Sequence, residues 1–132
     1  MSPPIQQHVV LPASAATLFD AYLDPATHGA ITGSPATIGP NPGDAFEAFG
    51  GALSGHIIAS IAPRLIVQAW RSSAFNKDDA DSTLVLSFSD TDEGGRIDLV
   101  HVGVPEHDHQ GVTEGWPKFY WTPWRQYLDN SV

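Results

Sequence analysis

The C-terminal stretch Gly115-Trp116-Pro117-Lys118-Phe119-Tyr120-Trp121-Thr122-Pro123-Trp124-Arg125-Gln126-Tyr127-Leu128 constrains this chain most. It holds three of the four tryptophans and two of the three tyrosines. At helical spacing Trp116, Phe119, Tyr120, Pro123 and Tyr127 form one apolar stripe, which Trp121, Trp124 and Leu128 widen. A helix this aromatic needs a broad apolar surface to lie on. Pro123 has no N–H to give to the carbonyl of Phe119, so a kink is expected there. Pro117 is tolerated if the helix begins near Gly115.

The middle of the chain offers such a surface. Ala45 to Phe49, Leu53 to Ile61, Leu65 to Arg71, Thr83 to Ser89 and Arg96 to Val104 read as strands separated by turn-forming residues, with Gly50-Gly51 as one hairpin turn. Leu53, Gly55, Ile57, Ala59 and Ile61 share one face of their strand. Leu84, Leu86 and Phe88 share another, as do Ile97, Leu99 and His101. Leu65 to Arg71 is nearly all apolar and is expected mid-sheet, with the pattern leaving open which face meets the helix. Upstream, His8 to Leu11 reads as a short strand. Ser14 caps an expected helix from Ala15 to Leu23, and Asp24 with Pro25 opens a second, to about Ile31. Gly33 to Asp44 is a long Pro- and Gly-rich connector. After Pro105 a polar loop carrying His107 and His109 is expected to lead into the aromatic helix. Consecutive hairpin-linked strands make an antiparallel sheet that wets one face and covers the other.

The chain has 132 residues, the size of one domain spanning 1–132, and a formal net charge of −9. Its six basic residues are scattered, which argues against nucleic acid and anionic membranes as partners. There is no cysteine. The N-terminus lacks the basic and apolar regions of a signal peptide, and no apolar run approaches a membrane span, so a cytoplasmic protein is expected.

Several blocks together resemble a known family. They are Gly50-Gly51 with Gly55, Ala62-Pro63-Arg64-Leu65-Ile66-Val67-Gln68-Ala69-Trp70-Arg71, His101-Val102-Gly103-Val104-Pro105, and Gly115-Trp116 with Phe119-Tyr120-Trp121. The chain is similar to the C-terminal domain of activators of the ninety-kilodalton heat-shock chaperone's ATPase, within the superfamily of the birch pollen allergen and the START lipid-transfer domains. The resemblance covers nearly the whole chain. It implies an α+β helix-grip fold, in which a curved antiparallel sheet wraps a long C-terminal helix and two short helices follow the first strand. It also implies a cavity between sheet and helix. Eukaryotic members carry a separate N-terminal domain that binds the chaperone, and nothing before Ile5 corresponds to it.

On this reading Phe46, Trp70, Phe88, Leu99, His101, Trp116, Phe119 and Tyr120 are the candidate ligand-cavity residues. The expected function is binding of a small hydrophobic ligand. The alternatives are a protein-interaction module regulating a chaperone ATPase, and a hydrolase or cyclase. No catalytic residue, metal ligand or cofactor is assigned. His101 is either a polar anchor or base, or an inward histidine bonded to a Tyr or Trp of the helix. No Ser or acid at telling spacing supports a triad. Glu106-His107-Asp108-His109 has metal-ligating residue types, but alternation along an extended loop does not converge them. Asp90 to Asp98 imitates the start of a calcium loop but places His101 at the twelfth position. Arg71 is either a strand-end cation reaching solvent or a buried one needing an anion. Exposed Trp121 and Trp124 would favour a homodimer.

Overall fold

Six strands form from the alternating segments, and one face of each is apolar. In the computed structural model, which describes residues 2–130, β1 spans Ile5–Leu11, β2 Ala45–Ala48, β3 Leu53–Ile61, β4 Leu65–Ser72, β5 Ser82–Thr91 and β6 Gly94–Val102. They make one antiparallel sheet in the order β1-β6-β5-β4-β3-β2. The register aligns inner-face residues in rows: Ile66 with Leu86 and Leu99, and Gln68 with Leu84 and His101. All six are almost fully buried. Strand β4 therefore presents Ile66, Gln68 and Trp70 to the core, which resolves the face its sequence left open.

Helices α1 (Ala15–Leu23) and α2 (Pro25–Thr32) follow β1. Ser14 Oγ accepts from the Thr17 N–H at 3.1 Å, and Asp24 Oδ2 accepts from the Thr27 N–H at 2.9 Å, so both expected caps form. The Asp90 carboxylate, part of the calcium-loop imitation, accepts from the Ala15 N–H at 2.8 Å and ties β5 to the start of α1. Gly95 allows this close approach: a Cβ there would lie 2.6 Å from Leu18 Cδ1 and 2.7 Å from the Ala13 carbonyl. Leu18, Phe19, Tyr22 and Leu23 of α1 are buried on the sheet.

One strand and the start of the C-terminal helix depart from expectation. A bulge between Ile57 and Ala59 breaks the alternation of β3, so Ile61 lies on the outer side and is 58% exposed. The C-terminal helix begins at Glu106, well before Gly115. Helix α3 spans Glu106–Trp116, with Glu106 and Asp108 in its first turn where carboxylates complement the helix N-terminus. His107 and His109 are thus helical. Low apolar content and Gly111 hid this segment, whose side chains Asp108, His107 and His109 are instead tied to Ser72, Ala74 and Pro3 by hydrogen bonds.

The helix continues through a wide π-type segment, Pro117–Trp121, into α4, Thr122–Asn130, for 25 residues in all. The distortion therefore sits one turn before Pro123. The Thr122 N–H bonds back to the Pro117 carbonyl, five residues away. One inserted residue rotates the inner face, so the buried stripe runs Val112, Trp116, Tyr120, then Trp121 and Trp124. Phe119, expected within the stripe, is 46% exposed. Trp124 stacks on Tyr22 at 6.4 Å, and Trp121 donates its Nε1–H to Gln7 Oε1 at 2.8 Å. The surplus tryptophans are therefore covered within the chain, by α1 and β1, and form no exposed aromatic patch. No helix among the described residues is long and apolar enough to cross a membrane.

Pro117 cannot donate to the Thr113 carbonyl four residues earlier. Gln7 of β1 does so instead, from Nε2 at 2.8 Å. One side chain thus bonds both sides of the proline turn. Gln7→Ala removes both bonds and leaves the Thr113 carbonyl unpaired. It is expected to cost about 2 kcal/mol, read as a lower urea midpoint at unchanged slope.

Candidate functional site

Glycine at two helix positions on one face opens the groove between helix and sheet. Gly111 and Gly115 lie on α3 four residues apart, beside Val112 and Trp116. Each costs a helix interior about 1 kcal/mol relative to Ala. Packing does not demand either: a Cβ at 115 would make ordinary contact with Phe119 Cδ2 at 3.5 Å, and one at 111 would meet only the Asp108 carboxylate tip at 3.3 Å. Facing them across the groove are Trp70 and Ser72 at the end of β4, with Ala52 and Leu53 at the start of β3. The cavity measures about 340 Å³, within the range of roughly 300–1,000 Å³ typical of small-molecule sites.

The rim is aromatic. Phe49 begins a tight turn, Phe49–Gly51, and has φ 53°. That left-handed conformation is costly for a bulky residue. It sets the Phe49 ring 5.6 Å from Phe119 and 6.3 Å from Tyr120, edge to face. The Lys118 ammonium lies 5.2 Å from the Phe119 ring centre. At the other end the lining turns polar: Ser72 Oγ donates to Asp108 Oδ2 at 2.9 Å.

Of the residues singled out in the sequence, Trp70, Trp116, Phe119 and Tyr120 line this groove. Phe46, Phe88, Leu99 and His101 do not. Phe46 packs by His28 at 6.0 Å and Phe88 by Phe19 at 5.5 Å, while Leu99 is 1% exposed. Phe19 of α1 covers Phe88, His28 of α2 covers Phe46, and Trp70 with Trp116 stand between His101 and the groove. Sequence reasoning missed Phe49, Ala52, Leu53, Ser72, Asp108, Gly111, Val112 and Gly115. The i, i+4 glycine pair beside Trp116 was the available signal.

His101 stands behind the groove wall, 4.7 Å from the Trp70 ring and 5.9 Å from that of Trp116. Ser82 Oγ donates to the Trp70 carbonyl at 2.5 Å, so it accepts from His101 Nε2–H at 2.8 Å. His101 Nδ1 then accepts from Trp116 Nε1–H at 3.3 Å. A serine–histidine pair wired this way is the reverse of a nucleophile and its base, because the serine proton points to a backbone carbonyl. Burial, with a smaller contribution from His109, pushes the His101 pKa down to about 3.

A second buried histidine backs Tyr120. His28 Nδ1–H donates to the Tyr22 carbonyl at 2.7 Å, and its Nε2 accepts from Tyr120 O–H at 2.8 Å. Tyr22 O–H donates to Gln68 Oε1 at 2.6 Å. Burial lowers the His28 pKa, partly offset by the Tyr22 carbonyl, and burial raises both tyrosines. These groups are held neutral. His107 and His109 bond to the separate carbonyls of Ala74 and Pro3, at 3.0 and 2.9 Å. Arg71 bonds Asp81 at 2.7 Å and the carbonyls of Asn76 and Asp79, which orders the β4–β5 loop at the surface.

Comparison with known proteins places this architecture. The family model described as Activator of Hsp90 ATPase homolog 1-like protein matches residues 12–129. The chain belongs to this family. No curated protein matches it in sequence. Among solved structures, an HSP90 activator from Plasmodium falciparum is 21% identical, with a TM-score of 0.86 and 97% of each chain covered. A protein from Mesorhizobium loti is 17% identical, with a TM-score of 0.84, 98% of this chain and 99% of that one covered. The Aha1 dimer from Colwellia psychrerythraea is 10% identical, with a TM-score of 0.76, 89% of this chain and 90% of that one covered. These likenesses establish the shared helix-grip fold. In this family member the two neutral histidines lie behind the groove, one under Trp116 and one under Tyr120.

The neutral histidines make stability depend on pH. Above the unfolded-state value near 6.5 neither state takes up the proton, and stability is full. Below it the unfolded chain binds a proton that folded His101 refuses until about pH 3, so stability falls through that window. From pH 7 to pH 5 His101 alone accounts for about 2 kcal/mol, and His28 adds in the same direction. Urea titrations at the two pH values should show this loss. They should show a shallower decline in His101→Gln, and an unchanged decline there would contradict the assignment.

Proposed function

We propose that this domain is a binding module that holds a small hydrophobic ligand in the groove between α3 and the adjoining ends of β3 and β4. One observation carries the reading: two helix glycines, unneeded by local packing, keep an aromatic-walled cavity of about 340 Å³ beside Trp70 and Trp116. A fold selected for stability alone fills such space, since each unfilled apolar contact is lost energy. The aromatic rim at Phe49 and Phe119 would shield an apolar ligand from water.

Two substitutions separate ligand space from structural need. Gly115→Ala is expected to raise stability by up to about 1 kcal/mol while weakening displacement of a lipophilic dye. Gly115→Leu is expected to abolish saturable dye binding and ligand retention in native mass spectrometry, with cooperative unfolding kept. Equal dye affinity in wild type and Gly115→Leu would overturn the reading.

Family membership supports a second reading, that the domain regulates the ATPase of a heat-shock chaperone. The ATPase rate of the same organism's chaperone, measured with this protein at saturating concentration, is expected to change if so. An unchanged rate removes that reading and leaves the groove untouched.

A further inference from the structure

The polar end of the groove carries one charged side chain, the carboxylate of Asp108. The polar side chains of the lining are Ser72, Asp108, Tyr120 and the two indoles: the Tyr120 hydroxyl is committed to His28 and the Trp116 N–H to His101, while the Trp70 N–H is buried without a partner among the described residues. Ser72 Oγ spends its hydrogen on Asp108 Oδ2 and accepts from the Ala74 N–H at 2.9 Å. The pair therefore offers a ligand acceptors and no hydrogen. Among the described residues Asp108 has no cationic partner within ion-pair distance. Arg71 is engaged by Asp81 and the loop carbonyls. His107, the neighbour of Asp108, bonds the Ala74 carbonyl and lies 3.9 Å from Asp79. Lys118 lies over Phe119 at the far end, ten residues along the helix and so about 15 Å away.

We propose that the groove selects an amphiphile with a primary ammonium head, received by Asp108, and an apolar body lying along Val112, Trp70 and Trp116 toward the Phe49–Phe119 rim. This rests on the reading of the groove as a ligand site and names the class of its ligand. An ammonium supplies the hydrogens that Ser72 and Asp108 lack, and places a cation against an unpaired carboxylate at the edge of an apolar wall, where charge-assisted bonds are strongest. A carboxylate head at the same end would meet Asp108 with like charge. Reversed, it would reach only Lys118, which is solvated.

The test is displacement of neutral Nile red by decylamine, 1-decanol and decanoate in physiological salt, on wild type and Asp108→Asn. The net charge of −9 attracts any cation weakly, and the variant arm isolates the contribution of Asp108. Decylamine is expected to bind wild type at least about tenfold tighter than decanol. In Asp108→Asn the two should come within about threefold of each other, with decanol affinity kept. Thermal unfolding checks the variant, and Asp108→Ser replaces it if the fold is lost. Decanoate binding as tightly as decylamine, an ammonium preference that survives in the variant, or dye binding that none of the three displaces would each overturn the ammonium assignment and leave the groove standing. Absence of saturable dye binding would instead overturn the groove reading itself, and this inference with it.

Discussion

Pro117 leaves a carbonyl without its helical donor in the middle of the longest element, and Gln7 supplies the missing hydrogen bond. Much of the architecture depends on that contact. The helix bears two prolines within one stretch, and an isolated helix would break there. Here the break becomes a π-type segment, Pro117–Trp121, held to β1 through both the Thr113 carbonyl and Trp121 Nε1. The extra residue changes the phase of the helix. Before the turn, Val112 and Trp116 face the groove beside the end of β4. After it, Trp121 and Trp124 face β1 and α1. One helix thereby covers two surfaces, and the groove lies on the first.

The core on either side of that turn is polar in an unusual way for a concave apolar face. His28, Tyr120, Tyr22 and Gln68 form one bonded chain, and His101, Ser82 and Trp116 another. Each histidine has both ring nitrogens bonded, which fixes its neutral tautomer and removes it from acid–base work. Both histidines are fully bonded within these chains, while the Gln68 Nε2 at the end of the first has no partner among the described residues. They also orient Trp116 and Tyr120, the two side chains that close the back of the groove.

Much of the fold was legible because its signals are local. Ser14, Asp24 and Pro25 mark helix starts through bonds made within one turn, and alternation in Leu84, Leu86, Phe88 and Ile97, Leu99, His101 follows from the two-residue period of a strand. The N-terminal half of the long helix was not legible. Glu106 to Gly111 has no apolar stripe, and its ties to the rest of the fold are hydrogen bonds between Asp108 and Ser72, His107 and the Ala74 carbonyl, and His109 and the Pro3 carbonyl, which no local pattern announces. The position of the cavity was not legible either. The expected residues were those with the right face on the sheet, and Phe88, Leu99 and His101 have that face. Whether a face meets a cavity or a helix depends on where α1 lies.

The sequence by itself determined the order of elements, the inward-facing sides of β5 and β6 and the need for an aromatic helix to cover them, since periodicity and caps are properties of neighbouring residues. Only the tertiary structure decided which aromatic residues cover the core and which rim the groove, because a single inserted residue at Pro117–Trp121 rotates every position after it. It alone also brought Asp108 to the end of an apolar groove opposite Ser72, thirty-six residues away in the chain. That meeting depends on how a strand end and a helix start are packed, and no spacing in the sequence encodes it.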